Sequence, residues 1–190
     1  MVSGGRRPGE ARERLLAAAL ELFARHGVSG TSLQMIADEL GVTKAAVYHR
    51  FPSKEDIVWA VIAPALAELE EVARRAEARR RRSDRVATAL AGVVDLVVDN
   101  RRLMAVILAD PAVGRLIREH PTLHALEGRV NAILTGPDPA PGTLVAAAMV
   151  SGGLLAAGLD PRLAGLDDDA LRHHLLDNAR RLLGLRPPPR

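Results

Sequence analysis

Apolar residues recur at three- and four-residue spacing along most of the chain, and no stretch sustains the two-residue alternation of a half-buried strand; the pattern predicts an all-α protein. The first stripe, Leu15, Ala18, Ala19, Leu22 and Phe23, predicts a helix over residues 10–26 ended by Gly27. The second, Leu33, Ile36, Ala37 and Leu40, is shorter and sharply punctuated. Thr31 with Gln34 three positions on suits a reciprocal capping box, and Gly41 suits a left-handed helix end. Val42 is expected to bury in the turn, and Thr43 to cap a third helix running through His49. After Pro52, Ser53 and Asp56 form another start signal, and a helix is expected from there through Trp59 to the basic cluster Arg79 to Arg82. Pro64 interrupts it. A proline there offers no N–H to Ala60 and clashes with its carbonyl, which predicts either a kink or a break near residues 60–64. Further helices are expected over residues 84–101, 102–108, 111–119, 121–134, 143–159 and 167–183, with the Pro- and Gly-rich stretch 135–142 as an extended loop.

The third helix is most informative in what it leaves outside. Val47 and the following Phe51 take the core side, so Lys44, Ala45, Tyr48 and His49 project from the other. An ordinary solvated face more often carries Glu and Lys. This one offers a cation, a small residue that permits close approach and two flat side chains with polar tips, a set suited to phosphates and base edges in a major groove. Two short helices joined by a tight turn, the second with such a face, read as a helix-turn-helix. Gln34, Thr43 and Arg50 are placed for secondary contacts, Gln34 from the start of the preceding helix.

Phe23, Gly27, Thr31, Ile36, Ala37, Gly41, Val42, Tyr48, Phe51 and Lys54, at these mutual spacings, resemble the N-terminal domain of the tetracycline-repressor-like (TetR) family of bacterial transcription regulators. The resemblance covers residues 10–60, and GVTKAAVYHRFPSKEDI follows the family's recognition-helix and exit pattern nearly throughout; the rest of the chain is similar to the family only in length and helical texture. It implies that Lys54 and the helix start beside it contact DNA phosphate. It also implies that the helix beginning at Ser53 connects two domains and swings when a ligand binds, and that the middle helices enclose a small-molecule pocket. Pro64 then serves either as the pivot of that swing or simply as the start of a separate helix.

Composition sharpens this picture. Residues 1–54 hold eight Lys or Arg against five Asp or Glu, a net of +3, whereas residues 55–190 hold eighteen of each. The whole basic surplus therefore sits on the part expected to meet DNA, where cations release counterions from the phosphate backbone. Arg6 and Arg7 lie in a polar, glycine-containing arm over residues 1–9 that is expected to be solvated, with reach toward an adjacent minor groove as the alternative. The absence of cysteine excludes disulfides and thiolate metal sites and fits a cytoplasmic location, and no apolar segment follows the first arginines as a secretory signal would require. Residues 144–159 carry no charge but are short for a membrane span and rich in Ala and Gly, so they are read as a core or interface helix.

The resulting scheme has a helix-turn-helix domain over residues 10–56, a helical ligand-binding and dimerisation domain over 57–184 and a Pro-rich tail over 185–190. A homodimer through helices 143–159 and 167–183 is expected, since one short recognition helix reads too few bases and a two-fold pair reads a palindromic operator in double-stranded DNA. Small residues at Ser151, Gly152 and Gly153 would let a partner backbone approach, and two helices per subunit would make a four-helix core. Beyond Trp59 the chain holds no Phe, Trp or Tyr, so a planar aromatic ligand would find no stacking partner deep in the second domain; a small molecule bound there is expected to be largely apolar. Leu103, Met104, Ile107, Leu108 and Met149 are candidates to line its cavity, with Asp95, Asp99 and Asn131 as orienting groups; a simple packed core is the better reading of the apolar ones, and the polar ones could equally face solvent. His120 and His124 are separated by the helix start at Pro121, and His173 and His174 diverge by about 100° on a helix, so no metal site is expected. No nucleophile elbow, phosphate loop or HExxH motif occurs, so neither catalysis nor a cofactor is expected. Control by a protein partner, without a small-molecule pocket, is the alternative to ligand control.

Overall fold

The computed structural model describes residues 8–185, and among these the chain is all-α, with ten α-helices, one 3-10 turn and no strand. The arm expected over residues 1–9 lies outside the described residues as far as Arg7, and so does the tail after Leu185. The helices are α1 (Pro8–Gly30), α2 (Leu33–Leu40), α3 (Lys44–Arg50), α4 (Lys54–Glu77), α5 (Arg82–Asp99), α6 (Arg101–Leu108), α7 (Pro111–Arg118), α8 (Pro121–Thr135), α9 (Pro141–Gly158) and α10 (Asp168–Leu182). The 3-10 turn, Pro161–Leu163, joins the last two.

The start of α2 differs from the sequence expectation. Its N-cap is Ser32, whose extended backbone (φ −115, ψ 157) brings Oγ within 3.1 Å of the Met35 N–H. Thr31 turns inward instead, 2% exposed, and its hydroxyl donates to the Gly27 carbonyl at 2.8 Å. Gln34 reaches forward to Asp38 at 2.7 Å, so the reciprocal Thr31–Gln34 box is replaced by one serine cap. Gly41 ends α2 in the left-handed region (φ 64, ψ 36), where a side chain would be strained, and Val42 N–H closes the turn on the Ala37 carbonyl at 3.0 Å. Only the backbone of Val42 is drawn in; its side chain is 45% exposed, against the expected burial. Thr43 caps α3 as expected, accepting from Ala46 N–H at 3.2 Å.

Ser53 and Asp56 form the capping box that the sequence places at the start of α4: the Ser53 N–H and hydroxyl donate to Asp56 Oδ2, and Asp56 N–H returns to Ser53 Oγ at 3.1 Å. The helix runs unbroken through Pro64, which is exposed, so the separate-helix alternative does not hold; it ends at Glu77, and Arg82 opens α5.

Two compact units emerge, one holding the chain up to Pro64 together with Ala105–Leu116, the other holding Ala65–Met104 and the chain from Ile117 onward. In the first, Leu15, Ala19, Leu22 and Phe23 of α1 are buried with Ile36 and Ala37 of α2, Val47 of α3, and Ile57 and Val58 of α4. In the second, α5 is the central helix and packs on α8, α9 and α10. Two adjoining clusters fill it, one including Ala73, Ala89, Leu126 and Val130, the other Val94, Val150, Leu154, Leu171 and Leu175. Gly92 sets the closeness of α4 and α5, because a Cβ there would lie 2.6 Å from a methyl of Val72.

Helix α9 is apolar nearly all round and, with a mean hydropathy of 1.4, is long and apolar enough to cross a bilayer by length and composition alone. Ala147, Val150 and Leu154 face the second-unit core, which accounts for one side only. Leu144, Val145, Met149 and Leu155 stand exposed on the other.

Candidate nucleic-acid interface

Helices α2 and α3 pack closely, and complete burial of Ile36, Ala37 and Val47 fixes which face α3 turns outward. Phe51, 6% exposed, closes the helix by donating its N–H to the Val47 carbonyl at 2.9 Å, and the Arg12 guanidinium lies 5.7 Å from its ring centroid. An exposed Arg25–Glu39 pair at 3.1 Å links α1 to α2. With the inner face occupied, Lys44, Ala45, Tyr48, His49 and Arg50 are all exposed, Tyr48 at 57%. The surface thus combines a cation, an alanine, and aromatic and imidazole side chains with polar ends, held on one short helix. Thr43 is exposed at the α3 cap, and Gln34 is exposed on α2 with its amide tied to Asp38.

Lys54 sits differently from the other candidates. Half-buried in the first turn of α4, its Nζ donates to the carbonyls of Val28 at 2.9 Å and Ser29 at 3.2 Å. The third ammonium hydrogen remains for a further acceptor. Ser29, in the last turn of α1, also donates both its N–H (3.0 Å) and its hydroxyl to Asp110. Asp110 also receives the first N–H groups of α7, from Ala112 at 3.0 Å and Val113 at 3.4 Å. The Ser29 hydroxyl and these backbone donors hold its carboxyl below the ordinary value of 3.8. Sequence reasoning missed Ser29 and Asp110. An Asp before Pro at a helix start signals a cap, but nothing local announces a partner 81 residues away.

The ligand candidates of the second half are scattered. Asp95 and Asp99 on α5 pair with Arg172 of α10, Asp95 at 3.3 Å, and Asp169 joins the same guanidinium at 3.3 Å. Leu103, Met104 and Leu108 are half-buried and Ile107 fully buried along α6. Asn131 is exposed and accepts from the Ser151 hydroxyl at 3.0 Å, while Met149 is 55% exposed on the open side of α9. Neither of the cavities of 270 and 300 Å³ is lined by any of these eight residues. The rings of His173 and His174 meet edge to face at 5.4 Å, and no group of three or more His, Asp or Glu among the described residues is arranged to hold a metal.

Residues 15–61 match the family model of bacterial regulatory proteins, tetR family. Among similar proteins, the HTH-type transcriptional regulator SrpR of Pseudomonas putida is 44% identical over 61 residues, and AcrR of Shigella flexneri 42% identical over 64. Each alignment covers 32% of this chain and only 29 or 30% of the relative's length. At the level of fold the likeness is far more extensive: the TetR family regulator PfmR from Thermus thermophilus superposes with a TM-score of 0.68 at 22% identity, covering 92% of this chain and 100% of that one. The matched segment spans most of α1, all of α2, the turn, α3 and the first turns of α4, the same residues whose burial and exposure define the outward face, and it is over this segment that the chain is similar to bacterial regulatory proteins of the tetR family.

Proposed function

We propose that the protein is a homodimeric, sequence-specific DNA-binding transcription regulator of the cytoplasm that acts as a repressor and leaves a palindromic operator when a small, largely apolar molecule binds its second half. The observation that carries the DNA-binding reading is the exposure of Lys44, Ala45, Tyr48 and His49 on a helix oriented by a wholly buried Val47. In this reading α3 enters the major groove; Tyr48 and His49 meet base edges, Lys44 and Arg50 meet phosphates, and Gln34, Thr43 and Ala45 support them from the rim. Lys54 keeps its two carbonyls and donates its remaining hydrogen to a phosphate, beside the N-terminal turn of α4.

The test compares two substitutions by anisotropy titrations against a recovered operator and single-base variants of it, at several salt concentrations. His49→Ala is expected to relax discrimination at one position by about 1–3 kcal/mol, while Lys54→Ala weakens all sequences alike and lowers the salt slope by about 1. Equal losses with an unchanged slope would contradict the division of roles.

Control by a protein partner is the second reading. It is favoured by the engagement of Asp95 and Asp99 with Arg172 and by the exposure of Met149, which remove three of the eight groups proposed to meet a ligand. Native mass spectrometry separates the two, because a small molecule carried through purification supports ligand control.

A further inference from the structure

A cavity of about 300 Å³ opens in the second unit where the first turn of α5, the end of α8, the first turns of α9 and the end of α10 converge. Val86, Leu134, Ala146 and Leu183 give it apolar walls and Thr143 adds one hydroxyl; among the described residues Arg82 is the single charged one on it, and no carboxylate lines it. The guanidinium is fixed in place. Its Nη2 donates to the carbonyls of Leu134 at 3.3 Å and Thr135 at 3.0 Å, at the C-terminal end of α8. Gly136 passes so close that a Cβ there would lie 3.1 Å from Nε, so the backbone itself makes room for the arginine. No acceptor among the described residues engages Nε or Nη1, and Arg82 takes part in none of the ion pairs described. At the rim, the first turn of α9 has no side-chain cap.

We infer that this cavity binds a small monoanion with a short apolar tail, a carboxylate held by Arg82 with its hydrocarbon chain against Val86, Leu134 and Ala146. The chemistry follows from the wall: one uncompensated, pre-positioned guanidinium matches one carboxylate, and the apolar remainder matches a chain rather than a second polar group. The volume is at the lower edge of small-molecule pockets, on the order of 300 Å³, which limits the tail to a single chain of roughly seven carbons or fewer. None of the residues proposed to meet a ligand in the middle helices lines this cavity, and although α9 and α10 also belong to the proposed dimer interface, its binding can be tested without DNA.

Octanoate is the probe, titrated into the full chain by calorimetry, with octan-1-ol as the uncharged control of equal length. The expected result is saturable binding at one site per chain, with octan-1-ol weaker by about tenfold or more, since it lacks the charge-assisted hydrogen bonds of the carboxylate. Ala146→Leu, which fills the wall without touching Arg82, should abolish binding; Arg82→Gln should weaken it about tenfold or more, and Arg82→Lys should retain part of it. Should Arg82→Gln unfold for want of its contacts to α8, Ala146→Leu decides alone. Absence of saturable octanoate binding overturns the proposal, as does binding that survives Ala146→Leu. Equal affinity for octan-1-ol overturns the assignment of an anion.

Discussion

Thr31 and Ser32 carry the same hydroxyl one position apart, yet the first stabilises the end of α1 and the second the start of α2. The difference lies in direction: Thr31 also has a methyl to bury and is 2% exposed, whereas Ser32 is exposed and extended, with its oxygen aimed at the free N–H groups of the helix. That a hydroxyl would cap α2 is legible in the sequence, because only a short polar side chain satisfies those donors. Which of two adjacent hydroxyls does so is decided by the packing of Thr31 against α1, and that is not local information. Ser32→Ala should therefore cost ~1 kcal/mol in urea unfolding, while Gln34→Ala, which removes only an exposed bond to Asp38, stays within ~0.5 kcal/mol of the parent. A loss at Ser32 no larger than that at Gln34 would remove Ser32 as the cap.

Among the elements, the last turn of α1, beyond the non-helical Gly27, is held by two groups of opposite charge. Lys54, at the head of α4, takes the carbonyls of Val28 and Ser29; Asp110, at the head of α7, takes the N–H and hydroxyl of Ser29 while capping its own helix. Each ion meets the backbone groups its sign requires. Because the Asp110 carboxyl is held below its ordinary value of 3.8, the unfolded chain binds more protons in the interval between the two values. Its stabilisation is complete above the ordinary value and is lost as pH falls through the depressed one. Asp110→Asn should accordingly destabilise the protein near neutral pH, and the gap to the parent should narrow as urea unfolding is repeated from about pH 7 down to about pH 3. A gap independent of pH would mean that the ionised carboxylate is not what holds the turn. Helix starts at Thr43 and Ser53 and the end at Gly41 were readable because their partners lie within four residues. The Ser29–Asp110 contact and the gathering of Asp95 and Asp99 on Arg172, 73 residues beyond Asp99, were not, because helical periodicity says which face is apolar but not which helix meets it.

For the whole molecule the decisive element is α9, whose sequence is apolar on sides that a single chain does not cover. Val145 and Met149 are 59% and 55% exposed, one turn apart, and the Cβ positions of Gly152 and Gly153 open onto empty space, so a second backbone has room to approach. A seven-residue reading helix spans only a few base pairs, and a two-fold pair doubles the site without any new chemistry. In the proposed dimer, the same apolar face that would be costly in a monomer would be the device that makes specificity sufficient. Met149→Glu combined with Val145→Glu places charges on the open side of α9 and leaves the core residues Ala147 and Val150 untouched, so the helical circular dichroism spectrum should be unchanged. Sedimentation should then show a monomer where the parent is a dimer, and affinity for a full palindrome should fall by about 10²- to 10⁴-fold, toward that for a single half-site. A parent chain that sediments as a monomer at micromolar concentration, or a double variant that remains a dimer, would remove α9 from the interface and with it this account of how one short helix achieves a genomic address.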